Sequence, residues 1–126
     1  MAIKVEACDT WFSKCMRKRA NWKCEACGNT ETLQCSHIVG RRVKSVRWDG
    51  MNATCLCAAC HRKFTEHPLD HVRWLEKHLG RQHLAILQEK RNTLLKTTKQ
   101  LRREIAAHYR EQFNTMEDGD EFESWS

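Results

Sequence analysis

Several things are scarce in this sequence, and each scarcity narrows the reading. No apolar run approaches the roughly 20 residues that a helix needs to cross a bilayer, so a membrane-embedded protein is not expected. The opening residues 1–6 include Lys4 and Glu6 and do not form an apolar signal segment. The chain is therefore read as cytoplasmic, a setting that disfavours disulfides. Proline occurs once, at Pro68, which makes His67 a poor interior helix residue and marks a helix boundary. Bases are missing from the last ten residues, where Glu117, Asp118, Asp120, Glu121 and Glu123 stand without an opposing charge.

What is abundant is cysteine and positive charge. There are eight cysteines in 126 residues, a density also seen in disulfide scaffolds. Four of them form two pairs, Cys24-x2-Cys27 and Cys57-x2-Cys60. In a reducing compartment that spacing favours a tetrahedral Zn²⁺ site, because both sulfurs of each pair can reach one ion. The 29 residues between the pairs exceed a usual zinc-ribbon spacer and can hold an element with its own chemistry. Cys8, Cys15, Cys35 and Cys55 lack such spacing and read as buried or half-buried thiols.

Residues 1–116 carry all 22 bases and 11 of the 16 acids, a net of +11. Bases cluster at Lys14, Arg17, Lys18, Arg19 and Lys23, and again at Arg41, Arg42, Lys44 and Arg47. A field of that sign attracts polyanions, with nucleic-acid phosphate as the expected partner and a merely soluble basic surface as the alternative. The acidic tail, 117–126, lacks periodicity and is expected to be disordered.

The pattern along the chain predicts one domain over 1–116, α+β and mainly helical. An N-terminal helical region occupies 1–23, with Asp9 or Thr10 as cap and the helix running to about Ala20. A core over 24–67 reads as strand (Thr32–Val39), arginine-rich loop, short strand (Asn52–Leu56) and helix from Ala58 to about Glu66. Residues 68–116 are expected to form a helical hairpin. Its first helix ends at Gly80, and a long second one runs from about Arg81 to Met116. Leu84, Leu87, Leu94, Leu101 and Ile105 form a narrow stripe on that second helix. The stripe suits packing on the preceding helix, or alternatively a homodimer through the C-terminal helices.

The series Cys24-x2-Cys27, Ser36-His37, Asn52-x4-Cys57-x2-Cys60-His61 resembles the zinc-containing HNH endonucleases, whose site is a ββα-metal (His-Me) finger. That resemblance covers residues 24–67. A looser one, to phage recombination nucleases of the Rap type, rests on Arg47-Trp48 and the helical C-terminal region. What it implies is a metal-dependent hydrolase of DNA phosphodiesters, possible roles being phage or prophage recombination or branched-DNA processing. The DNA would be double-stranded or branched.

The resemblance implies His37 as general base, Asn52 as the residue that bridges the loop and orients the base, and His61 as ligand of a catalytic Mg²⁺ or Mn²⁺. The zinc held by Cys24, Cys27, Cys57 and Cys60 is then structural, since four thiolates leave no open position. Arg41, Arg42, Lys44 and Arg47 are expected to grip phosphates, with Trp48 packed beneath the loop. One position departs from the family: Ser36 stands where many members carry an aspartate that binds the divalent ion. His67 or Asp49, waters and substrate phosphate are the expected substitutes. The alternative reading is a zinc-stabilised DNA-binding module with weak or no cleavage. His67, His71, His78, His83 and His108 are read individually as structural or exposed.

Overall fold

The computed structural model describes residues 3–125. It is a mainly helical α+β protein in which a two-stranded antiparallel hairpin is followed by a helix and bridged by a four-cysteine cluster. The order is α1 (Ala7–Arg19), β1 (Leu33–His37), a single-turn α2 (Lys44–Arg47), a 3₁₀ turn (Gly50–Asn52), β2 (Ala53–Cys57), α3 (Ala58–Glu66), α4 (Pro68–Leu79), α5 (Arg81–Arg91) and α6 (Lys99–Thr115). No helix among the described residues is long and apolar enough to cross a membrane.

The α1 helix starts earlier than its sequence suggests. Glu6, not Asp9 or Thr10, is its N-cap, and Asp9 sits at the third helical position, returning a bond to the Glu6 N–H (2.9 Å). This reciprocal cap satisfies helix-end donors that would otherwise be orphaned. One face of α1, with Cys8, Phe12, Cys15 and Met16, is buried against α6 and the hairpin. Behind α1 the chain turns through Asn21 and Trp22, both with positive φ, into the first cysteine pair. Gly28 (φ 80°) closes that knuckle, and its N–H bonds to the Cys24 carbonyl at 2.8 Å.

The hairpin register pairs Leu33 with Cys57, Cys35 with Cys55, and His37 with Ala53. All five residues of β2 are buried, because α1 covers one face and α3 the other. His67 alone joins α3 to α4, and Pro68 occupies the first turn of α4, where its missing N–H costs nothing. Gly80 (φ 90°) then ends α4, as expected.

The long helix over 81–116 is a correction. It is two helices separated by residues 92–98, with Leu94 almost fully exposed and the Thr98 side chain capping α6 by accepting from the Leu101 N–H (3.0 Å). The two halves of the apolar stripe therefore face different partners. Leu87 of α5 is buried where that helix meets α4 and α2, whereas Ile105 and Tyr109 of α6 are buried against α1.

The acidic tail is a second correction. Its residues 117–125 fold back over the molecule. Gly119 N–H bonds to the Lys18 carbonyl, Asp118 accepts from the Trp22 indole (2.9 Å), and the Ser124 hydroxyl accepts from Gly50 N–H (3.0 Å). Phe122 packs edge-on against Phe12 and Tyr109, beside the guanidinium of Arg19. A side chain at Gly50 would meet the Phe122 ring at 3.1 Å, so glycine there lets the tail seat. Lack of periodicity suggested disorder; the tail's two aromatics and the basic end of α1 hold it in place.

Candidate metal centre and histidine cleft

The two cysteine pairs are brought together where the first knuckle meets the start of α3. Their four Sγ atoms all lie within 4.8 Å of one another. A tetrahedron with Zn–S of about 2.3 Å has S···S edges of about 3.8 Å. The Cys27–Cys57 separation is 3.7 Å. Cys57 caps α3 through its sulfur, which accepts from Cys60 N–H at 3.5 Å, and this bond brings the Cys57 thiol down to about 7. Burial and the neighbouring thiols push Cys60 the other way. One thiolate thus forms readily and the next is opposed, an electrostatic conflict that a dication resolves. The set is a four-thiolate site of the kind zinc occupies, with no position left for substrate.

Support around the cluster is thin and aromatic. Leu56 and Phe64 are buried with Cys24 and Cys57, and Phe64 stacks on His71 (4.9 Å) and Trp74 (5.2 Å), which in turn stacks on His78 (4.7 Å). Glu25, between the cysteines of the first knuckle, ties that knuckle to both neighbours. Its N–H donates to the Cys55 carbonyl, and its carboxylate pairs with His78 at 2.7 Å.

His37 ends β1 and His61 stands on the first turn of α3, and the two line one cleft of about 360 Å³ together with Ile3, Cys35 and Arg41. The His37 Nε2–H donates to the Arg47 carbonyl (3.0 Å), so the lone pair of the neutral ring is on Nδ1. Burial drives the His37 pKa down to about 4, and the Arg41 charge adds to the effect. The ring is therefore neutral at pH 7. The His61 Nδ1–H donates to the Gln34 amide oxygen (2.7 Å), which leaves Nε2 as the lone-pair nitrogen. Burial also lowers the His61 pKa.

Asn52 is fully buried at the base of the loop. Its amide N–H₂ donates to the carbonyls of Val39 (2.9 Å) and Val46 (3.1 Å), and its oxygen accepts from Val39 N–H (2.7 Å). It clamps both ends of the segment whose Arg47 carbonyl orients His37. Trp48 is buried, with its indole N–H on Asp9 (3.0 Å) and its carbonyl accepting from the Tyr109 hydroxyl.

The basic loop divides. Arg42 and Lys44 are exposed. Arg41 borders the histidine cleft, and its Nη2 donates to the carbonyls of Ile3 (3.0 Å) and Lys4 (3.3 Å). Arg47 does not fit the phosphate-gripping role expected of it. It is only 5% exposed and makes a two-pronged bond to Asp9 (2.9 and 2.6 Å), with Glu6 at 4.0 Å. A desolvated guanidinium stays with its counter-charge. Burial alone would raise the Asp9 carboxyl; the Arg47 hydrogen bonds and the Glu6 N–H outweigh it and hold the pKa below its usual value.

The substitutes considered for the missing carboxylate are placed elsewhere. Ser36 is buried opposite Thr54 in the ladder, and Asp49 is buried with one oxygen on Met51 N–H and the other on Lys90 Nζ (2.8 Å). His67 is exposed at the α3–α4 junction and does not line the cleft. Among the described residues, no third His, Cys, Asp or Glu joins His37 and His61 in a ligand cluster. Sequence reasoning missed Gln34 and the Arg47 carbonyl, the two groups that set the histidine tautomers. Neither carries a motif, because one is an exposed strand residue and the other is backbone.

No family model, curated protein or solved structure matches the chain. Its class is defined by the ββα hairpin and the four-cysteine cluster.

Proposed function

We propose that this chain is a metal-dependent DNA endonuclease of the HNH type in which a structural zinc holds the hairpin and α3 in register. The observation that carries the reading is that His37 and His61 share one cleft, each with one ring nitrogen committed as donor and the other left with its lone pair. His37 Nδ1 takes the proton from the attacking water. Burial keeps the ring neutral at physiological pH, and a pKa of about 4 makes it a weaker base than an unperturbed histidine. Asn52 and the Arg47 carbonyl keep that ring in place. Arg41, at the rim, meets the phosphate from the same side.

His61 Nε2 would hold the divalent ion, which when bound neutralises phosphate charge and the leaving 3′ oxygen. One imidazole is a softer and smaller ligand set than the carboxylates Mg²⁺ prefers, so Mn²⁺ or a later first-row ion is expected to support cleavage better than Mg²⁺. Zinc-loaded protein, incubated with plasmid and four-way-junction DNA and each of these ions in turn, tests the assignment. Cleavage that leaves 5′-phosphate ends and is lost in His61→Ala supports it. Equal cleavage by His61→Ala at every ion concentration counts against it.

The second reading is a zinc-stapled DNA-binding module without cleavage. The burial of Ser36 and Asp49 favours it, since neither can complete an ion site. It predicts DNA binding with no products under any divalent ion.

A further inference from the structure

A larger cavity lies away from the histidine cleft. It is a groove of about 710 Å³ between the start of α1 and the length of α6. We propose that this groove is a second site for DNA, specific for a single strand, in which an unpaired base stacks on Trp11 while its phosphates follow Lys99, Arg103 and Arg110. The inference rests on DNA as partner but does not depend on cleavage.

Charge selects the occupant. Four of the lining residues are basic, Lys99, Arg102, Arg103 and Arg110, against the acids Glu6 and Glu111. Arg102 is already answered by Glu6 at 3.0 Å. Among the described residues no acid is ion-paired with Lys99, Arg103 or Arg110, and Lys99 and Arg103 are exposed. These three recur on one face of α6. Four residues of helix rise is about 6 Å and seven about 10 Å, so they form a ladder of cations along the groove rather than a point charge. Ala106 and Ala107 lie between them and leave the floor open.

Trp11 selects a single strand over a duplex. It is half-buried in the groove, edge-on to Phe113 (5.8 Å), and carries two cations over its ring, Lys14 Nζ at 4.5 Å and Arg110 at 5.9 Å. An aromatic face set beside a cation ladder is the combination that binds unpaired bases, since every base offers a π-face and the backbone offers the charge. Paired bases cannot turn onto it. An acidic peptide would satisfy the cations but not use the indole.

The groove and the histidine cleft flank the same helix. Thr10, Ser13 and Arg17 of α1 line a trough that runs on to His37, whereas Cys8 and Trp11 face α6. A strand in the groove is thus held about one helix diameter, about 10 Å, from DNA in the cleft.

Binding of a labelled oligo(dT) of about 12 nucleotides, followed by anisotropy without added Mg²⁺ or Mn²⁺, tests the site. The double variant Lys99→Glu/Arg103→Glu changes only exposed side chains, so folding is preserved. It should weaken binding about tenfold or more and reduce the salt slope by about 1–2. An iododeoxyuridine oligomer should crosslink to the peptide containing Trp11. Wild-type affinity in the double variant, a crosslink elsewhere, or equal competition by matched duplex or by polyglutamate would overturn the proposal. If wild type cuts nothing while these binding results hold, the nuclease reading fails and the groove stands. If cleavage proceeds and the double variant binds normally, the reverse is true.

Discussion

The two sides of the hairpin are held together by opposite means. On the α1–α6 side, Phe12, Met16, Trp48, Ile105 and Tyr109 bury large side chains in one cluster, and the tail adds Phe122 and Trp125. On the α3 side the fully buried apolar residues are few, and four thiols stand where a core would be. A small domain runs short of apolar area, and a metal makes up the difference where the core is thinnest. The proposed chemistry is divided in the same way: the His37 ring lies 5.9 Å from Phe12 in the apolar half, while His61 stands on α3, which the cluster cysteine Cys57 caps. The cleft exists only if both halves hold.

Removing the metal should break the comparison most strongly. Structural zinc sites are worth on the order of 10 kcal/mol in apparent binding free energy. Stripping the metal, or Cys57→Ser, is expected to abolish amide protection across β2 and α3 while leaving slow-exchanging amides in α1 and α6. Hydrogen exchange reads both halves at once, and retained protection of α3 without metal would contradict the division.

Next in size is the buried ion pair of the apolar half. Asp9→Ala leaves Arg47 desolvated without its partner and should cost about 3–5 kcal/mol in urea unfolding. Replacing both, Asp9→Leu with Arg47→Met, should recover most of the loss. Because the Arg47 carbonyl orients His37, Asp9→Ala should also shift the His37 ring resonances.

The pH dependence of stability comes third. The folded pKa of His37, about 4, lies below its unfolded value of about 6.5, so the unfolded state binds the proton first. Its contribution is complete above about pH 6.5 and is lost as pH falls toward 4, a total of about 3 kcal/mol. His61 and His71 are shifted in the same direction. Asp9, held low, contributes above about pH 4 and loses its share only below that, as pH falls through its folded pKa. Denaturant midpoints of wild type and His37→Phe between pH 4 and 7 isolate the histidine: the variant's slope should be shallower. The smallest effect is Phe122→Ala, expected to cost about 1–2 kcal/mol for a partly buried ring, measured by thermal unfolding.

Much of the metal half was legible in the sequence because its signals are local. C-x2-C spacing, Pro68 and Gly80 each dictate a nearby backbone event, and all appear where expected. The apolar half was less legible because it is built from contacts between distant residues. Arg47 looked like its basic neighbours until Asp9, 38 positions away, proved to hold it. The tail looked disordered for want of periodicity, and nothing in its own residues revealed the Lys18 carbonyl or Gly50 N–H it binds. The break at 92–98 was masked by leucines at helical spacing, although Thr98 carried a capping signal. His37 and His61 of the cleft, and Asn52 at the base of the loop, were singled out by motif, whereas Gln34 and the Arg47 carbonyl are visible only in the geometry.

The central claim is that His37 is the base that activates water for phosphodiester cleavage. Single-turnover cleavage of labelled DNA by zinc-loaded wild type and His37→Ala, with saturating Mn²⁺ and DNA binding measured in parallel, tests it most directly. The account predicts equal binding and a rate at least about 100-fold lower in the variant. Equal rates, or no cleavage by wild type on linear, nicked or branched DNA, would contradict it.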